Sequence, residues 1–270
     1  MSRFVTQEQL ITDLAALGLE AGDTVMVHAS IKAIGRLAGG PDIVHRAVMT
    51  AVGPEGTMLM VVGWADDLYG IADLPAAEQA LLLAALPPYD PLTSRADRET
   101  GLLAECFRSW PGVRRSRSPT GSFAAYGRRA AWLLAGQTLD HYFGPESPLD
   151  RPCRAGGRVL LLGSQPENVT LLHFAEYLAE VPDKRSVRYP EIVLVDGERR
   201  VVEVTALDNS RGIVDWPEDY FATITTAYIA ARGLAPRPVG AAHSFLLDAH
   251  GLARFGAEWM ERNFATLCAD

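Results

Sequence analysis

The sequence predicts one domain of the α/β class with a mixed central sheet. Its first part alternates helix, strand, loop, helix and strand, with buried strands at 24–28 and 57–62. This alternation is typical of layered α/β domains. Farther along, Asp196-Gly197 stands between two apolar runs and indicates an antiparallel hairpin, so strands of both directions are expected.

Capping residues and apolar periodicity place the individual elements. Thr6 and Gln9 form a capping box for a first helix that Gly18 ends, and Pro41 suits the first turn of a helix running to about residue 51. Further helices are expected near 75–86, 101–109, 128–136, 168–176, 217–231 and 252–264, and further strands near 123–126, 159–162, 192–195, 201–204 and 242–247.

Composition limits the class of protein. The 270 residues are 48% hydrophobic, which is ample for one core, and no apolar run approaches the ~20 residues of a membrane helix. The N-terminus lacks a signal-peptide core, so we expect a cytoplasmic protein without a membrane partner. A net charge of −8 argues against nucleic-acid binding. Cys106, Cys153 and Cys268 show neither pairing nor metal spacing, so we expect free thiols and no metal site.

The leading site candidate is the strand–turn–helix segment 159–176. We expect Asn168 to cap a helix that carries His173 and Glu176 three residues apart, hence on one face. A carboxylate partner fixes the tautomer of an imidazole and suits it to general-base work. Thr170 lies about one turn earlier, where its hydroxyl and the local amides could receive an oxyanion. Such a pair is more often structural than catalytic, so both interpretations stay open here.

Three loops carry further candidate residues. Ser30–Arg36 and the basic, hydroxyl-rich segment Arg114–Ser122 could each bind an anion, and together a phosphate-bearing cofactor, although neither is a P-loop. Each could equally be a solvated turn. An irregular insertion at about 63–100 is rich in acids and aromatic residues, which suits a cationic ligand or an unpartnered surface loop.

A nucleophilic mechanism is the rival chemistry. Ser122 or Ser30 could join His173 and Glu176 in a hydrolase triad, although neither serine lies in a Gly-x-Ser-x-Gly elbow. A ligand-binding protein without catalysis is a further alternative.

Seven motifs, taken in order, resemble the aminoglycoside 3-N-acetyltransferase family, which is distinct from the GNAT fold. They are Val-His-Ala-Ser-Ile-Lys-Ala-Ile-Gly (27–35), Val-Gly-Pro-Glu-Gly-Thr (52–57), Pro-Pro-Tyr-Asp-Pro (87–91), Ser-Pro-x-x-Ser-Phe-Ala-Ala-x-Gly (118–127), Glu-Ser-Pro-Leu (146–149), Leu-Leu-Leu-Gly-x-x-x-x-Asn-x-Thr-Leu-Leu-His-x-Ala-Glu (160–176) and Val-Pro-Asp-Lys-Arg (181–185). The resemblance implies one α/β/α sandwich domain over 1–270, with acetyl-CoA as donor, an aminoglycoside as acceptor and the insertion as a substrate loop. A homodimer is compatible with it.

The resemblance also implies roles for particular residues. His173 would be the base, Glu176 its orienting carboxylate and Thr170 the stabiliser of the tetrahedral intermediate. The expected coenzyme A contacts are Ser30, Ile31, Lys32, Ala33, Gly35, Arg117, Ser118 and Ser122. The expected acceptor contacts are Trp64, Asp66, Asp67, Tyr69, Glu176, Asp208 and Asp215. The family usually has His where this chain has Ser118, which can be neither cation nor base. This departure implies a weaker or rebuilt cofactor site, or a different amine substrate.

Overall fold

The computed structural model describes residues 4–264. Its helices are α1 (Gln7–Leu17), α2 (Ile31–Ile34), α3 (Asp42–Val52), α4 (Ala76–Ala85), α5 (Gly101–Arg108), α6 (Ala130–Leu134), α7 (Asp150–Arg154), α8 (Leu172–Leu178), α9 (Tyr220–Ala231) and α10 (Ala249–Phe264). Its strands are β1 (Thr24–Ala29), β2 (Thr57–Val61), β3 (Arg114–Arg115), β4 (Phe123–Gly127), β5 (Arg158–Leu162), β6 (Ser186–Val195), β7 (Glu198–Leu207), β8 (Arg237–Val239) and β9 (Ala242–Asp248).

Seven strands form the central sheet in the order β3-β4-β2-β1-β5-β9-β8. The three middle strands, β2, β1 and β5, run parallel, while β4 and β9 pair antiparallel on either side of them. The predicted mixed α/β sheet is therefore confirmed. Its antiparallel strands are β4 and β9, because the Asp196-Gly197 hairpin forms a separate two-stranded sheet of β6 and β7.

Both faces of the sheet are covered. Alternate residues of β1 point to opposite sides, so that Val25 and Val27 pack with α1 and α3 while Met26 packs with the helices that follow β5. The same alternation divides β5 between Leu160 on one face and Leu161 on the other. The sheet is therefore the middle layer of the expected α/β/α sandwich, and the carboxyl ends of β1, β2 and β5 open at the same edge.

Most predicted elements are confirmed within a few residues, and local chemistry explains the exceptions. The loop that begins at Ser30 contains the one-turn helix α2. Asn168 does not cap α8, because residues 166–168 form a 3-10 turn and the helix begins only at Leu172. Helix α9 starts later than expected because the Asp219 side chain accepts hydrogen bonds from the amides of Phe221 and Ala222.

The insertion between β2 and α5 holds α4 and two 3-10 turns, at 71–73 and 98–100. Tyr89 ties it to the hairpin sheet, since its amide donates to the carbonyl of Ile192 at 2.8 Å. Within residues 4–264 no helix is long and apolar enough to cross a membrane. Cys106 and Cys153 are free thiols, and Cys268 lies outside the described residues.

Candidate active site

A cavity of about 710 Å³ opens at the carboxyl ends of the parallel strands. Its wall includes Val27, His28 and Ala29 from β1, and Met60 and Val61 from β2. The rest of the lining is Trp64, Ala65, Asp67, Tyr69, Gly70, Asp97, Glu99, Thr100, Thr120, Phe143, Ser164, Glu167, Asn168, Thr170, His173, Asn209, Ser210 and Phe221. The predicted catalytic helix and the predicted acceptor loop therefore meet at one cavity.

His173 is held in one orientation on its helix. Its Nδ1 lies 2.9 Å from Oε2 of Glu176, whose side chain is 1% exposed. Phe143 stacks parallel to the imidazole at 5.0 Å between ring centroids, and Phe221 meets it edge-on at 4.7 Å. With Nδ1 engaged by Glu176, Nε2 is the nitrogen left for a partner in the cavity.

Tyr220 completes a chain of hydrogen bonds behind the histidine. Its hydroxyl donates to Oε1 of Glu176 and accepts the amide of Ile213 at 3.2 Å. Burial, followed by the charge of Glu176, raises the pKa of Tyr220 and keeps the phenol protonated as a donor. Both oxygens of Glu176 are therefore occupied, which fixes the carboxylate and hence the imidazole. The sequence analysis missed Tyr220.

Thr170 lies beside His173 on the cavity wall. Its amide donates to the carbonyl of Asn168 at 2.9 Å, and the amide of His173 donates to the carbonyl of Thr170 at 3.0 Å. These two amides are therefore not available to an oxyanion. Within the described chain the Thr170 hydroxyl has no hydrogen-bond partner, so the hydroxyl is the group that could donate.

The cavity is acidic. Four carboxylates line it, those of Asp67, Asp97, Glu99 and Glu167, and no lysine or arginine occurs among its described lining residues. Burial, with the nearby charges of Asp97 and Glu99, raises the pKa of Asp67 to about 6. Three of these acids were missed, although Asp97 and Glu99 belong to the acid-rich insertion and Glu167 to the turn before the catalytic helix. Such a cavity favours a polycation.

The predicted acceptor contacts separate into two groups. Trp64, Asp67 and Tyr69 line the cavity, whereas Asp66, Asp208 and Asp215 are absent from the lining. Asp215 is 98% exposed and pairs with Arg185. The structure thus places Asp66 and Asp215 outside the cavity wall.

Asp208 lies behind Tyr69, which explains its absence from the wall. Its Oδ1 accepts from the Tyr69 hydroxyl at 3.0 Å and from the amides of Ser210 and Arg211. Burial raises the pKa of Asp208, but these hydrogen bonds outweigh burial and the net pKa is lowered. Asp208 therefore shapes the loop that carries Asn209 and Ser210 to the cavity.

The first predicted cofactor loop borders the cavity without lining it. Ser30 caps α2, its Oγ accepting from the amide of Ala33 at 3.3 Å. Gly163 has a φ of 65° and leaves no room for a side chain between Ala33 and Ala242, so α2 packs directly against the turn that carries Ser164. Of the other predicted contacts, Lys32 is exposed and Ile31 and Gly35 are half-buried.

The second basic loop is largely internal. Arg115 donates from Nε to Oγ of Ser122 at 2.7 Å and from its terminal nitrogens to the carbonyls of Ser94 and Gly63. Arg115 is therefore a structural cation, neither a solvated charge nor a free anion ligand. Ser118 and Ser122 are buried, while Arg117 is exposed.

The two serines of the hydrolase alternative have other partners. Ser122 is 0% exposed, with its Oγ bonded to Arg115 and 2.7 Å from the Tyr89 hydroxyl, and Ser30 caps a helix. The Nδ1 contact of His173 is with Glu176. The geometry does not support a serine nucleophile.

Replacing Ser122 tests this structural role. We expect Ser122→Ala to lower the free energy of unfolding by about 1–3 kcal/mol, because Nε of the half-buried Arg115 loses its acceptor. Urea unfolding measures the change, with the exposed Ser186→Ala as the matched control. Labelling of Ser122 in the folded protein by a serine-reactive probe would contradict it.

His28, the last residue but one of β1, is a lining residue that the sequence analysis left unassigned. It is 7% exposed, and its Nε2 has no hydrogen-bond partner within the described chain. Burial lowers the pKa of His28 to about 4, so the imidazole is neutral. Among residues 4–264, no group of three His, Cys, Asp or Glu side chains is arranged to hold a metal ion.

Comparison with known proteins finds relatives over nearly the whole chain. Residues 26–261 match the family model of aminoglycoside 3-N-acetyltransferases. Aminoglycoside N(3)-acetyltransferase III of Pseudomonas aeruginosa is 44% identical over 260 residues, 96% of this chain and 94% of the relative. The solved structure of AAC-IIIb with CoASH superposes with a TM-score of 0.88 at 40% identity, covering 97% of this chain and 98% of the other. For AAC-VIa bound to sisomicin the TM-score is 0.89 at 38% identity, with coverages of 96% and 98%.

Proposed function

The chain belongs to the aminoglycoside 3-N-acetyltransferase family and is an acetyltransferase, and from this premise we propose that it transfers the acetyl group of acetyl-CoA to the 3-amino group of 2-deoxystreptamine aminoglycosides, thereby conferring antibiotic resistance. His173 is the general base and the transfer is direct. The observation that carries the proposal is the Tyr220–Glu176–His173 chain, which ends in a cavity lined by four carboxylates.

The chemistry requires a base at this place. A protonated amine has no lone pair, so a proton must leave before or as nitrogen attacks the thioester carbonyl. The neutral Nε2 of His173 takes that proton while Glu176 stabilises the resulting imidazolium. The new N–C bond forms, the C–S bond breaks, and His173 gives the proton it took to the departing thiolate of coenzyme A. The acetylated nitrogen loses its second proton to solvent, so that one proton is released per turnover. Thr170 supplies a hydroxyl to the tetrahedral oxyanion.

The acceptor half of the site is negatively charged. An aminoglycoside carries several ammonium groups, and Asp67, Asp97, Glu99 and Glu167 supply the complementary field. The half-buried Tyr69 adds an aromatic surface on which a sugar ring can pack, whereas Trp64 is 2% exposed and supports the wall from behind. The relative AAC-VIa is described as bound to sisomicin, which supports an acceptor of this class.

The assignment of the donor half of the site is supported by the sequence motifs and by the relative AAC-IIIb, whose solved structure is a binary complex with CoASH. We assign coenzyme A to the segment Ser30–Gly35 and to Arg117–Ser122. Lys32 and Arg117 are exposed cations that can meet phosphates. The buried Ser118 cannot supply the charge of the family histidine, so Arg117 takes that role. Because acetyl-CoA is a cytoplasmic metabolite, we place the reaction in the cytoplasm.

A thiol-release assay tests the proposal. Purified enzyme, acetyl-CoA and sisomicin or gentamicin should release free coenzyme A, and mass spectrometry should show one added acetyl group on the 3-amino nitrogen. Simple primary amines in the same assay address the other acceptor class that the sequence leaves open. Release with those amines and none with the aminoglycosides would overturn the assignment.

Neighbouring aspartates provide a matched test of the acceptor site. We expect Asp67→Asn to raise the acceptor KM about tenfold, because it removes one cavity charge while the amide oxygen can still accept from the amide of Tyr69. Asp66→Asn, outside the lining, should change it less than about twofold. Initial rates at saturating acetyl-CoA measure both values. An equal effect of the two substitutions would contradict the assignment of Asp67.

A further inference from the structure

A buried carboxylate lies behind the cavity wall. Glu191, on β6, is 0% exposed. Its Oε1 accepts from Thr120, at 2.7 Å from the hydroxyl and 3.2 Å from the amide, and Thr120 lines the cavity. Its Oε2 is buried and has no hydrogen-bond partner within the described chain. Thr120 therefore separates Glu191 from the cavity, and Oε2 of Glu191 accepts no hydrogen bond from the described chain.

The titratable groups that face Glu191 are acidic. They are the carboxylates of Asp67 and Asp140 and the phenols of Tyr89, Tyr142 and Tyr189. The nearby guanidinium of Arg115 packs over the ring of Tyr89 and donates to Ser122 and two carbonyls. Within residues 4–264 an ionised Glu191 thus has no ion-pair partner, and an unpaired buried carboxylate is costly.

We propose that Glu191 is a specificity-determining residue whose counter-charge is the acceptor itself: a polycation in the cavity stabilises ionised Glu191, and ionised Glu191 strengthens binding of the polycation. The inference rests on the proposed function for the class of acceptor. Glu191 does not touch the reacting atoms. Its negative charge lies behind Thr120 and close to Asp67, and it attracts the bound polycation electrostatically. An acceptor without several positive charges gains nothing from it.

The protonation state of Glu191 supports this coupling. Burial, together with Asp67 and Asp140, raises the pKa of Glu191 to about 7, although the hydrogen bonds from Thr120 oppose the rise. The group is neutral below that pH and ionised above it. Its contribution to acceptor affinity is therefore absent in mild acid and present in mild base. By reciprocity, a bound polycation lowers the pKa of Glu191.

Glu191→Gln separates charge from shape. The amide oxygen can still accept both bonds from Thr120, while the negative charge is lost. Calorimetry with sisomicin should give a Kd about equal to that of the wild type near pH 6 and about tenfold weaker near pH 8. The ratio of the two proteins cancels the titration of the acceptor's own amines. The KM for acetyl-CoA should stay within about twofold.

Two control variants sharpen the comparison. The exposed Glu203→Gln removes a charge from the neighbouring strand and should leave the Kd unchanged at both pH values. Thr120→Val removes the hydroxyl bond but keeps the carboxylate. If Glu191 acted only by holding Thr120, this variant would reproduce the weakening seen with Glu191→Gln, and the weakening would be the same at both pH values. That result, or an unchanged Kd for Glu191→Gln at both pH values, would overturn the inference.

A second measurement needs no change at Glu191. In infrared difference spectra near pH 6.5, where Glu191 is largely protonated, addition of sisomicin should bleach a protonated-carboxyl band. Sisomicin should bleach the same band in Asp67→Asn, a variant that lacks the other carboxyl group able to titrate in this range. Absence of this band would also overturn the inference. Both experiments read binding, so a failure of acetyl transfer in the wild type would count against the proposed function alone.

Discussion

His173→Ala should reduce kcat for acetyl transfer by about 10³–10⁴-fold, the largest effect expected of any single substitution here. The variant loses the neutral Nε2 that accepts the ammonium proton, and within residues 4–264 no other lysine, arginine or histidine except His28 lines the cavity. His28 lies at the end of β1 with its Nε2 buried, so it cannot replace the lost base. Thiol release under saturation by both substrates measures kcat.

A matched control is available for this substitution. His243 is exposed on β9, outside the cavity lining, and His243→Ala should keep full activity. Calorimetry should show that His173→Ala still binds sisomicin and coenzyme A within about threefold of the wild type. A variant that turns over at the wild-type rate would exclude His173 as the base.

The sequence was most informative where function depends on neighbours in the chain. The spacing of His173 and Glu176 was enough to place both on one helix face, and the structure has their side chains 2.9 Å apart. The alternation of helices and strands likewise gave the layered sheet. These predictions succeed because the helical period of about 3.6 residues and the strand period of about two residues are visible in any single sequence.

Contacts between distant segments were not visible in this way. Tyr220 is 44 residues from Glu176 and joins it only because α9 packs against the 3-10 turn that precedes α8. Glu191 reaches the cavity through Thr120, 71 residues away. No local pattern marks either residue, since the contact partner of each lies in a distant segment of the chain.

Burial and competing partners account for the predicted site residues that do not line the cavity. Ser122 looks like an exposed hydroxyl in a basic loop, but Arg115 turns inward and uses it as an acceptor. Asp208 and Asp215 share the same polar connection, yet one is buried behind Tyr69 and the other is almost fully exposed. Residue charge and position in the sequence do not show which of the two side chains is buried.

Glu176→Gln should lower kcat by about 10²–10³-fold while binding of both substrates is retained. The wild-type carboxylate accepts from His173 on Oε2 and from Tyr220 on Oε1. An amide has one acceptor and one donor end. If its NH₂ faces Nδ1, the imidazole must carry its proton on Nε2, the wrong tautomer for a base. If its NH₂ faces Tyr220, the buried phenol proton loses its acceptor and the imidazolium loses its counter-charge.

Tyr220→Phe distinguishes orientation from charge in this chain. It leaves the carboxylate and its contact with His173 but removes the donor to Oε1, so kcat should fall only about 10-fold. The amide of Ile213 also loses its acceptor, which should lower the free energy of unfolding by about 1–3 kcal/mol. Because the histidine tautomer is set by Glu176 in Tyr220→Phe but not in Glu176→Gln, ¹⁵N chemical shifts of the imidazole should differ between the two variants. Equal losses of kcat with the same tautomer would show that Glu176 acts only as a packing residue.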